Sequence, residues 1–600
     1  MFRQIRKSGW LVFGLQFVLS IIVFRETIFG DAPLVFSDLG DGTKNLFTLL
    51  TYLRERPDSW FGFHSMNYPY GESIWYTDAT PVVAIFFRTL SYLGISAGWL
   101  ATSGFHLYLL AGIALSSLFL FRIFDRNRVQ LWICWLFCLS LPWISPHLLR
   151  LSAGHFNLSL GCLIPGLWYW LLRFEESDDR TKWLWALVMT LWIVFASAHH
   201  LYFFPMLACM TGIWLLVSSV RNGLSRQDRI LRTGLALSIP AMATALLLGW
   251  IYWTDPYLSI RPDQALGYNW RDWNLNVDSL LTAYDHLALP AFPGLQAFLN
   301  IETHTYLGGF VIWTMIVALM WTLLHKGIDR FPPMHTGDRP AWTTALLCSG
   351  WFCLILAIGE YTRTLGGTVN FDNWVHPFKL IRLFTEEATQ FRCLGRFAWP
   401  VYWAAAIGAT LLWDRMWKGS WGFLKLLFFA LWIPLVSDLA GQIQFVNQNL
   451  RPNPLNISAA HELPDLEPTA YDALLPLPFY HVGSETLSLT IDPETNWEQQ
   501  CLRASLGLNM PLISNKMSRT APVQVEELFS WLEGGQVPMG LKGKKVLIMF
   551  SLDAKSWESS PEDQRALNVL NAGRSLPAAS PVTEVARTTE VVWFGWELGT

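Results

Sequence analysis

Residues 202–220 read YFFPMLACMTGIWLLVSSV, without a single charged side chain. A helix needs about 20 mainly apolar residues to cross the hydrocarbon core of a bilayer. Comparable runs recur along the 600-residue chain, which is 52% hydrophobic and 15% charged, with a mean hydropathy of +0.30. The sequence therefore predicts a mainly α-helical, polytopic membrane protein. About eleven crossing helices are expected, at residues 10–25, 100–122, 129–146, 157–173, 183–199, 202–220, 233–253, 306–324, 341–359, 398–415 and 421–440.

The Lys and Arg residues of the short loops concentrate on one side of these predicted helices, as Arg126, Arg180 and Arg229 illustrate. Cytoplasmic loops carry such an excess, so the N-terminus is predicted to be cytoplasmic and the C-terminus to lie outside. The segment 81–95 is too short to cross and is interpreted as an interfacial or half-inserted helix. The long outer segments are then residues 26–80, 254–305 and 360–397.

Composition divides the chain into two predicted domains. Residues 1–440 hold the apolar runs, whereas residues 441–600 contain Pro-rich stretches, a strand-like run at 545–550 and a helix-like run at 523–532. The second part is predicted to form a small α/β domain outside the membrane. A formal net charge of −3, with the cations spread over loop ends, argues against nucleic acid as a partner. The eight Cys residues form neither a disulfide framework nor a zinc spacing.

The first outer segment carries a carboxylate pair, Asp38 and Asp41, beside a Gly-containing turn. A helical pattern that includes Asn45 follows directly. Such a pair at the mouth of a helix bundle suits a general base or the ligands of a divalent cation. An alternative with equal support is that Asp41 only caps the following helix.

Two further motifs lie in the same outer segment. Tyr68 belongs to a Pro- and Gly-containing sequence that predicts a surface turn. Asp78 precedes a helix that is expected to start at Pro81. Considered alone, Asp78 is interpreted as the cap of that helix.

Histidines occur at two predicted outer helix ends. His155 stands at the outer start of the 157–173 helix, and His200 follows another His in a tight outer turn. A histidine at the membrane is costly unless it is hydrogen-bonded or used, so both are candidate functional residues. The alternative for His155 is an interfacial ring bonded to a backbone carbonyl.

The second and third outer segments add acidic, aromatic and basic candidates. Glu302 and Tyr306 close the second segment, and Arg392 and Arg396 lie in the third. Arginines on the outer side run against the positive-inside bias, and they recognise phosphate through forked hydrogen bonds. A lipid-linked phosphate is therefore the expected ligand. The alternative is that the acidic pair at 386–387 neutralises these cations.

The order of these motifs resembles that of the multi-pass bacterial membrane proteins of the GT-C glycosyltransferase superfamily. The resemblance extends over residues 36 to about 400, whereas residues 441–600 match no pattern of that kind. Each motif is short, and it is their order on one side of the membrane that is similar. The matching elements are Gly40-Asp41, Asn67-Tyr-Pro-Tyr-Gly71 with Asp78 and Pro81, Gly154-His155-Phe-Asn157 with Pro165, Glu302 with Tyr306-Leu-Gly308, and Phe391-Arg392 with Arg396-Phe397.

This resemblance implies transfer of a sugar from a polyprenyl-phosphate donor to a lipid, glycan or protein acceptor, on the outer face of a bacterial cytoplasmic membrane. It implies that Asp41 is the catalytic base, with Asp38 as its neighbour. No cofactor is required by the sequence, and a divalent ion, Mg²⁺ or Mn²⁺, would be held by these two carboxylates. The expected substrate-binding residues are Asn45, Tyr68, Asp78, His155, His200, Glu302, Tyr306, Arg392 and Arg396.

Two other classes of function stay open. A transporter of lipid-linked sugars predicts ionisable residues near the middle of the bilayer and repeat symmetry between two halves, and the sequence displays neither. A non-catalytic protein of envelope polysaccharide assembly or export would use the outer domain to bind partners. The donor sugar and the acceptor are not encoded in any recognisable motif.

Overall fold

The computed structural model of the chain is mostly helical, with small sheets in its C-terminal part. Four apolar core clusters organise it, and the largest lies within the helical part. The structure describes residues 2–30, 33–38, 41–55, 60–221, 223–262, 273–289, 302–324, 341–419, 422–455, 463, 470–492, 496–557, 563–578 and 582–599.

Helical residues occur in each of the eleven predicted segments. Several helix starts carry the expected side-chain caps, which satisfy free backbone N–H groups. Asp178 accepts a hydrogen bond of 2.9 Å from the Thr181 amide, and Ser225 accepts one of 3.0 Å from the Asp228 amide. The helices are α1 (Phe2–Val23), α2 (Asp41–Arg54), α3 (Pro81–Tyr92), α4 (Ala97–Arg126), α5 (Leu131–Ser140), α6 (Pro146–Ser152), α7 (Leu163–Glu175), α8 (Asp179–Ser197), α9 (Phe203–Ser219), α10 (Arg226–Thr254), α11 (Gly309–Leu324), α12 (Ala341–Ile358), α13 (Pro377–Arg382), α14 (Trp399–Gly419), α15 (Gly422–Ala430), α16 (Trp432–Gln448), α17 (Trp497–Leu508), α18 (Pro522–Leu532) and α19 (Gln564–Ser575).

Three helical stretches are long and apolar enough to cross a membrane: Ala97–Arg126, Arg226–Thr254 and Phe428–Gln448. A pair bent by 43°, Leu131–Ile144 with Pro146–Ser152, would add a fourth. Shorter apolar helices account for other predicted segments. By length and composition, the described residues therefore do not confirm eleven crossings, because turns and bends interrupt several of the apolar runs.

The helix predicted at 157–173 is one such case. The chain forms a 3-10 turn at Phe156–Leu158, and the α-helix begins only at Leu163. Gly161 lies between the two elements, and glycine is a poor helix former. His155 consequently lies in a turn and not in the first turn of an α-helix, and its ring lies beside Asp41.

The last apolar run extends past the predicted domain boundary at residue 440. Two helices, Gly422–Ala430 and Trp432–Gln448, replace the single predicted helix at 421–440. An antiparallel bridge between Val35 and Arg451 then connects the end of this helix to residues 26–80. The end of the helical part is thus joined directly to the segment that carries Asp41.

The C-terminal part is a small mixed α/β unit, as its sequence pattern predicts. The strand-like run at 545–550 and the helix-like run at 523–532 are both present as such elements. The strands of the chain are β1 (Gly62–Phe63), β2 (Glu72–Ser73), β3 (Tyr361–Thr364), β4 (Val369–Asp372), β5 (Ala473–Leu477), β6 (His481–Val482), β7 (Asn515–Lys516), β8 (Lys545–Ser551), β9 (Val582–Arg587) and β10 (Val591–Glu597).

The C-terminal sheet has the strand order β5-β8-β10-β9. Strand β8 pairs in parallel with β5 and antiparallel with β10. Leu474, Leu547 and Trp593 of this sheet share one apolar core with Phe47 and Leu50 of α2. Burying a side chain of this size contributes about 1.5–3 kcal/mol. The sheet is thereby held against the helix that begins at Asp41.

Candidate functional site

A cavity of about 190 Å³ opens where residues 26–80, the turn after α6, the start of α9, the segment before α14 and two C-terminal loops meet. Carboxylates, histidines and arginines are all present in its wall. The lining residues are Asp41, Asn45, Trp75, Tyr76, Asp78, Pro81, His155, Asn157, Leu158, Ser197, His199, His200, Leu201, Tyr202, Gln390, Phe391, Arg392, Cys393, Arg396, Glu485, Ser518 and Arg519.

The ammonium group of Lys44 lies between two carboxylates of this wall. Its Nζ is 2.7 Å from Oδ1 of Asp41 and 3.2 Å from Oδ2 of Asp78. The charge of Lys44, with help from His155, holds the pKa of Asp41 well below its usual range despite burial. Burial opposes ionisation of Lys44, yet the two carboxylates raise its pKa well above the ordinary value. At neutral pH Asp41 is an anion and Lys44 a cation.

His155 connects Asp41 to a second carboxylate. Its Nε2 lies 3.2 Å from Oδ2 of Asp41, and its Nδ1 lies 3.2 Å from Oε1 of Glu302. With a carboxylate at each ring nitrogen, the ring is fixed in orientation between Asp41 and Glu302. One carboxylate oxygen of Asp41 therefore contacts the Lys44 ammonium group, and the other contacts the His155 imidazole.

Glu302 is the centre of a buried ion cluster behind His155. Its Oε1 is 2.7 Å from Nη1 of Arg150, and its Oε2 is 2.7 Å from Nε of Arg396. Burial alone would raise its pKa, but the two arginines hold the pKa of Glu302 well below its usual range. The guanidinium of Arg396 also lies over the Tyr202 ring, 4.6 Å from the centroid. Arg396 is thus fixed from two sides while it faces the cavity.

Asp78 and His200 form the opposite edge of the carboxylate group. Asn157 donates a hydrogen bond of 3.3 Å to Oδ1 of Asp78, and Nε2 of His200 lies 4.0 Å from the same oxygen. Burial, together with the charge of Arg396, lowers the pKa of His200 to about 3. Nδ1 of this ring accepts the Tyr202 amide at 3.1 Å. The neutral ring therefore carries its proton on Nε2, toward Asp78.

The C-terminal part completes the cavity. Glu485, Ser518 and Arg519 line it together with the residues of the helical part. Oε2 of Glu485 lies 3.8 Å from Nη1 of Arg392, and the Arg519 guanidinium lies 5.7 Å from the centroid of the Tyr76 ring. The side chain of Arg392 is 44% exposed, whereas that of Glu485 is 10% exposed.

A metal site made by Asp38 and Asp41 does not fit these residues. Asp38 is absent from the described cavity wall, and the space between the Asp41 and Asp78 carboxylates holds the Lys44 ammonium. Within the described ranges, no three His, Cys, Asp or Glu residues form a group that could hold a metal ion. The positive charge that the carboxylates face is supplied by Lys44.

Most of the residues singled out in the sequence meet in this cavity, and four do not. Tyr306 is buried in the helical core, where its ring packs on Tyr284. The Tyr68 amide donates to the Leu512 carbonyl at 2.9 Å, so Tyr68 contacts the C-terminal part. Glu302 lies behind the wall, and the Asp38 carbonyl accepts a hydrogen bond from Gln499. The residues that do line the cavity are Asp41, Asn45, Asp78, His155, His200, Arg392 and Arg396.

The capping role predicted for Asp78 is wrong. The residue directly before α3 is Thr80, whose side chain makes no capping hydrogen bond, and Asp78 binds Lys44 instead. Among the described residues, Glu485 and Glu302 are the ion-pair partners of Arg392 and Arg396, and the alternative that the acidic pair at 386–387 neutralises these arginines is not tested. The side chains at 386–387 lie outside the described part of the chain.

Sequence reasoning missed Lys44, Arg150, Glu485 and Arg519. The spacing of Lys44 three residues after Asp41 was an available signal, because residues i and i+3 are neighbours on a helix. Arg150 sits five residues before His155 in an apolar run, where a cation needs a partner. Glu485 and Arg519 had no such signal, since only the packing of the C-terminal part brings them to the cavity.

Comparisons with known proteins give three findings. A family model described as "Domain of unknown function (DUF6311)" matches residues 11–436. No curated protein matches the chain. Nine chains of solved structures match, and one is the crystal structure of the Archaeoglobus fulgidus oligosaccharyltransferase in the apo form. The similarity to that chain has a TM-score of 0.46 at 10% identity, over 90% of this chain and 69% of that one.

Proposed function

The chain belongs to the DUF6311 family, and because that description assigns no activity, we propose a function from the cavity: transfer of a sugar from a polyprenyl-phosphate donor to a lipid, glycan or protein acceptor. The observation that carries this proposal is the presence of an ionised carboxylate, Asp41, and the guanidinium groups of Arg392 and Arg396 in one wall. Sugar transfer from a phosphodiester needs both, a base for the acceptor and a cationic clamp for the departing phosphate.

In the proposed reaction, the acceptor hydroxyl oxygen forms a bond to the anomeric carbon of the sugar. The bond from that carbon to the phosphate oxygen breaks, and its electron pair stays on the polyprenyl phosphate. Asp41 takes the hydroxyl proton, and Lys44 and His155 orient its two oxygens. A carboxylate with a lowered pKa is a modest base, so its contribution rests on being ionised and positioned.

Negative charge grows on the phosphate as the glycosidic bond breaks. Arg396 is pre-oriented by Glu302 and Tyr202, and Arg392 is more exposed, so the two can bind the same anion from a fixed and an adaptable position. Charge-assisted, forked hydrogen bonds of this kind are about twice as strong as neutral ones. The two arginines therefore stabilise the departing polyprenyl phosphate more strongly than the intact donor, because the departing phosphate carries more negative charge.

The proposal includes a membrane setting. Three span candidates and the basic loop ends support a multi-pass protein with a cytoplasmic N-terminus and an outer cavity and C-terminal domain, residues 441–600. We propose about eleven crossings in the cytoplasmic membrane of a bacterium, some of them by short or bent helices. Reporter fusions after Asn449, where the last of these helices ends, and after Val220 test this orientation. Activity of a cytoplasmic reporter at Asn449 would contradict it.

The test of function uses the full chain reconstituted in lipid nanodiscs. Radiolabelled hexoses linked to polyprenyl phosphate serve as donors, membrane extract supplies acceptors, and the released polyprenyl phosphate is measured. The Asp41→Asn variant is expected to lose release by at least a hundredfold, because removing a positioned base costs about 10²–10⁴ in rate. Asp553→Asn, at an exposed C-terminal position, is the matched control. If the Asp41→Asn variant and the parent release polyprenyl phosphate equally fast, Asp41 is not the catalytic base.

One observation favours a second candidate function, a non-catalytic carrier of lipid-linked sugars. Both oxygens of Asp41 have partners, Lys44 and His155, as in a purely structural ion-pair network. A carrier would bind polyprenyl-phosphate sugars but release no polyprenyl phosphate with any acceptor extract. Binding without release in the parent chain, measured in the same nanodiscs, would select this candidate over the transferase.

A further inference from the structure

Two loops of the C-terminal part run side by side into the cavity. They follow β6 and β7, which pair in parallel through His481 with Asn515 and Val482 with Lys516. The pairing continues in the loops, because the Met517 amide donates to the Val482 carbonyl at 3.1 Å and the Thr520 amide donates to the Gly483 carbonyl at 3.0 Å. We call residues 483–486 and 517–520 the paired loops.

The contact between the paired loops is too close for a side chain. A Cβ added to Gly483, which has a φ of +114°, would lie 1.4 Å from the Met517 carbonyl oxygen. Only glycine satisfies both the positive φ and this approach. The paired loops therefore have a fixed separation.

Each paired loop presents one charged residue to the cavity from a left-handed backbone. The φ angles are +56° at Glu485 and +60° at Arg519, and Asp78 across the cavity has a φ of +55°. Non-glycine residues in this region cost about 1 kcal/mol or more and cluster at functional sites when the surroundings hold them. Three such residues in one cavity wall point to a substrate-contacting role for the loops.

A buried ion cluster holds the second loop. Nη1 of Arg261 donates to the Arg519 carbonyl at 2.7 Å, and the same guanidinium binds Glu72 and Asp255, at 2.9 and 2.6 Å. All three members of this cluster are buried. The position of Arg519 is thus set by Arg261, which Asp255 and Glu72 hold in place, and not only by its own loop.

The cavity wall holds charges of both signs. Glu485 repels a phosphate, whereas Arg396 attracts one and is held by a carboxylate behind it. The 3.8 Å between Glu485 and Arg392 is longer than a hydrogen bond, so charge attraction holds the two without a directional bond. A carboxylate accepts hydrogen bonds from hydroxyl groups, and a guanidinium donates a fixed fork to them.

We propose that the paired loops select the sugar of the donor, with Glu485 accepting hydrogen bonds from its hydroxyl groups and Arg519 donating to them, while the phosphate lies toward Arg396. This inference rests on the proposed transferase function and names the part of the chain that sets its specificity. The two residues lie beyond the stretch matched by the family model, which ends at residue 436. The membrane part would then supply the chemistry and the C-terminal part the choice of sugar.

The test measures binding to the full chain in nanodiscs by native mass spectrometry. The probes are bare polyprenyl phosphate and polyprenyl phosphates that carry glucose, galactose or mannose. For the parent, one hexose is expected to bind more tightly than its epimers. Glu485→Gln is expected to reduce that preference about ten- to a hundredfold, the effect of losing a charge-assisted hydrogen bond. Its affinity for bare polyprenyl phosphate should not fall below the parent value, because the lost carboxylate repels a phosphate and pairs with Arg392.

Two further variants make the outcome specific. Arg519→Lys keeps the charge but loses the fork, so it should also reduce the preference. Glu590→Gln, at an exposed position of the C-terminal part, is the matched control and should change nothing. Melting temperatures equal to that of the parent show that each variant is folded.

The results separate the two proposals. An unchanged preference in both Glu485→Gln and Arg519→Lys, with the parent discriminating among the hexoses, would overturn the role of the paired loops and leave the transferase function standing. A loss of affinity for bare polyprenyl phosphate equal to the loss for the sugar-bearing probes would place these residues at the phosphate end, which also overturns the inference. A parent chain that binds none of the four probes would contradict the proposed function itself.

Discussion

The backbone of Gly154 touches that of Gly42, so that a Cβ added to Gly154 would lie 2.4 Å from the Gly42 amide nitrogen. Gly154 has a φ of +75°, and its carbonyl accepts a hydrogen bond of 2.9 Å from Asn45. This contact holds the turn that carries His155 against the first turn of α2. The distance between Asp41 and His155 therefore depends on a glycine pair that makes no ionic contact itself.

Gly154→Ala is expected to separate His155 from Asp41 and to lower the free energy of unfolding by about 1–3 kcal/mol, since both the positive φ and the close approach disfavour a Cβ. The rate at which the Gly154→Ala variant releases polyprenyl phosphate should also fall, because His155 no longer positions Asp41. The matched control is Gly223→Ala, which has a φ of +86° but no atom within 4 Å of the added Cβ. The Gly223→Ala variant should lower the free energy of unfolding by about 1 kcal/mol and retain activity. Equal activity losses in the two variants would contradict the role of the contact.

Lys44→Met should leave the carboxylates of Asp41 and Asp78 facing each other without a cation. We expect a destabilisation of about 2 kcal/mol, less than for a fully buried pair because both carboxylates are partly exposed. Lys182→Met is the control, since Lys182 also joins two aspartates, Asp179 and Asp228, but lies outside the cavity. Both variants should melt earlier in thermal scans, and only the Lys44 variant should lose transfer.

Arg392→Lys and Arg396→Lys are expected to differ. Arg392 is exposed and loosely paired, so its replacement should weaken binding of polyprenyl phosphate about tenfold or more and leave the melting temperature unchanged. Arg396 is bound to Glu302, so its replacement should weaken binding and also lower the melting temperature. If neither variant changes the affinity, the phosphate lies elsewhere in the cavity.

Three carboxylates with lowered pKa values, Asp41, Asp78 and Glu302, contribute to the pH dependence of stability. Because the folded chain holds them ionised more strongly than the unfolded chain, they stabilise the fold at neutral pH. This stabilisation is lost as the pH falls below the ordinary values of 3.8 and 4.5 and through the lowered folded values. Melting temperatures between pH 7 and pH 3 should therefore fall.

Glu302→Gln provides the check on this pH dependence. It should start from a lower melting temperature at pH 7, because Arg150 and Arg396 lose their shared carboxylate. Its further decline toward pH 3 should be shallower than that of the parent, since one titrating group is gone. Parallel declines in the two proteins would show that Glu302 does not contribute.

The sequence predicts the helical character of the chain because apolar periodicity and hydropathy are local properties. It does not predict where helices stop, and the run around Phe156 illustrates this. Its composition is that of a helix, but the chain forms a turn there, which brings His155 to Asp41. Such a turn is decided by contacts with Gly42 and Glu302, which are distant in the sequence.

Residue type alone indicates that Asp41, His155 and Arg396 belong to a functional site. Ionisable side chains beside apolar helices are costly unless they are paired or take part in function. The pairing among them was not predictable. Glu302 and Asp78 illustrate the limit: the first supports the wall from behind and the second binds Lys44 instead of capping α3. Which carboxylate faces the cavity is settled by packing, and packing is a property of the whole chain.

The apolar core that α2 shares with the C-terminal sheet has a consequence for how the protein is made. Leu50 leaves the ribosome more than 400 residues before its core partner Leu474. At ribosomal rates of about 5–20 residues per second, the helix that begins at Asp41 waits roughly 20–90 s for that partner. During this interval the part of this helix that contacts the sheet is uncovered, and Glu485 and Arg519 have not yet been synthesised. A nascent chain or truncated product that ends before residue 519 therefore has an incomplete cavity wall.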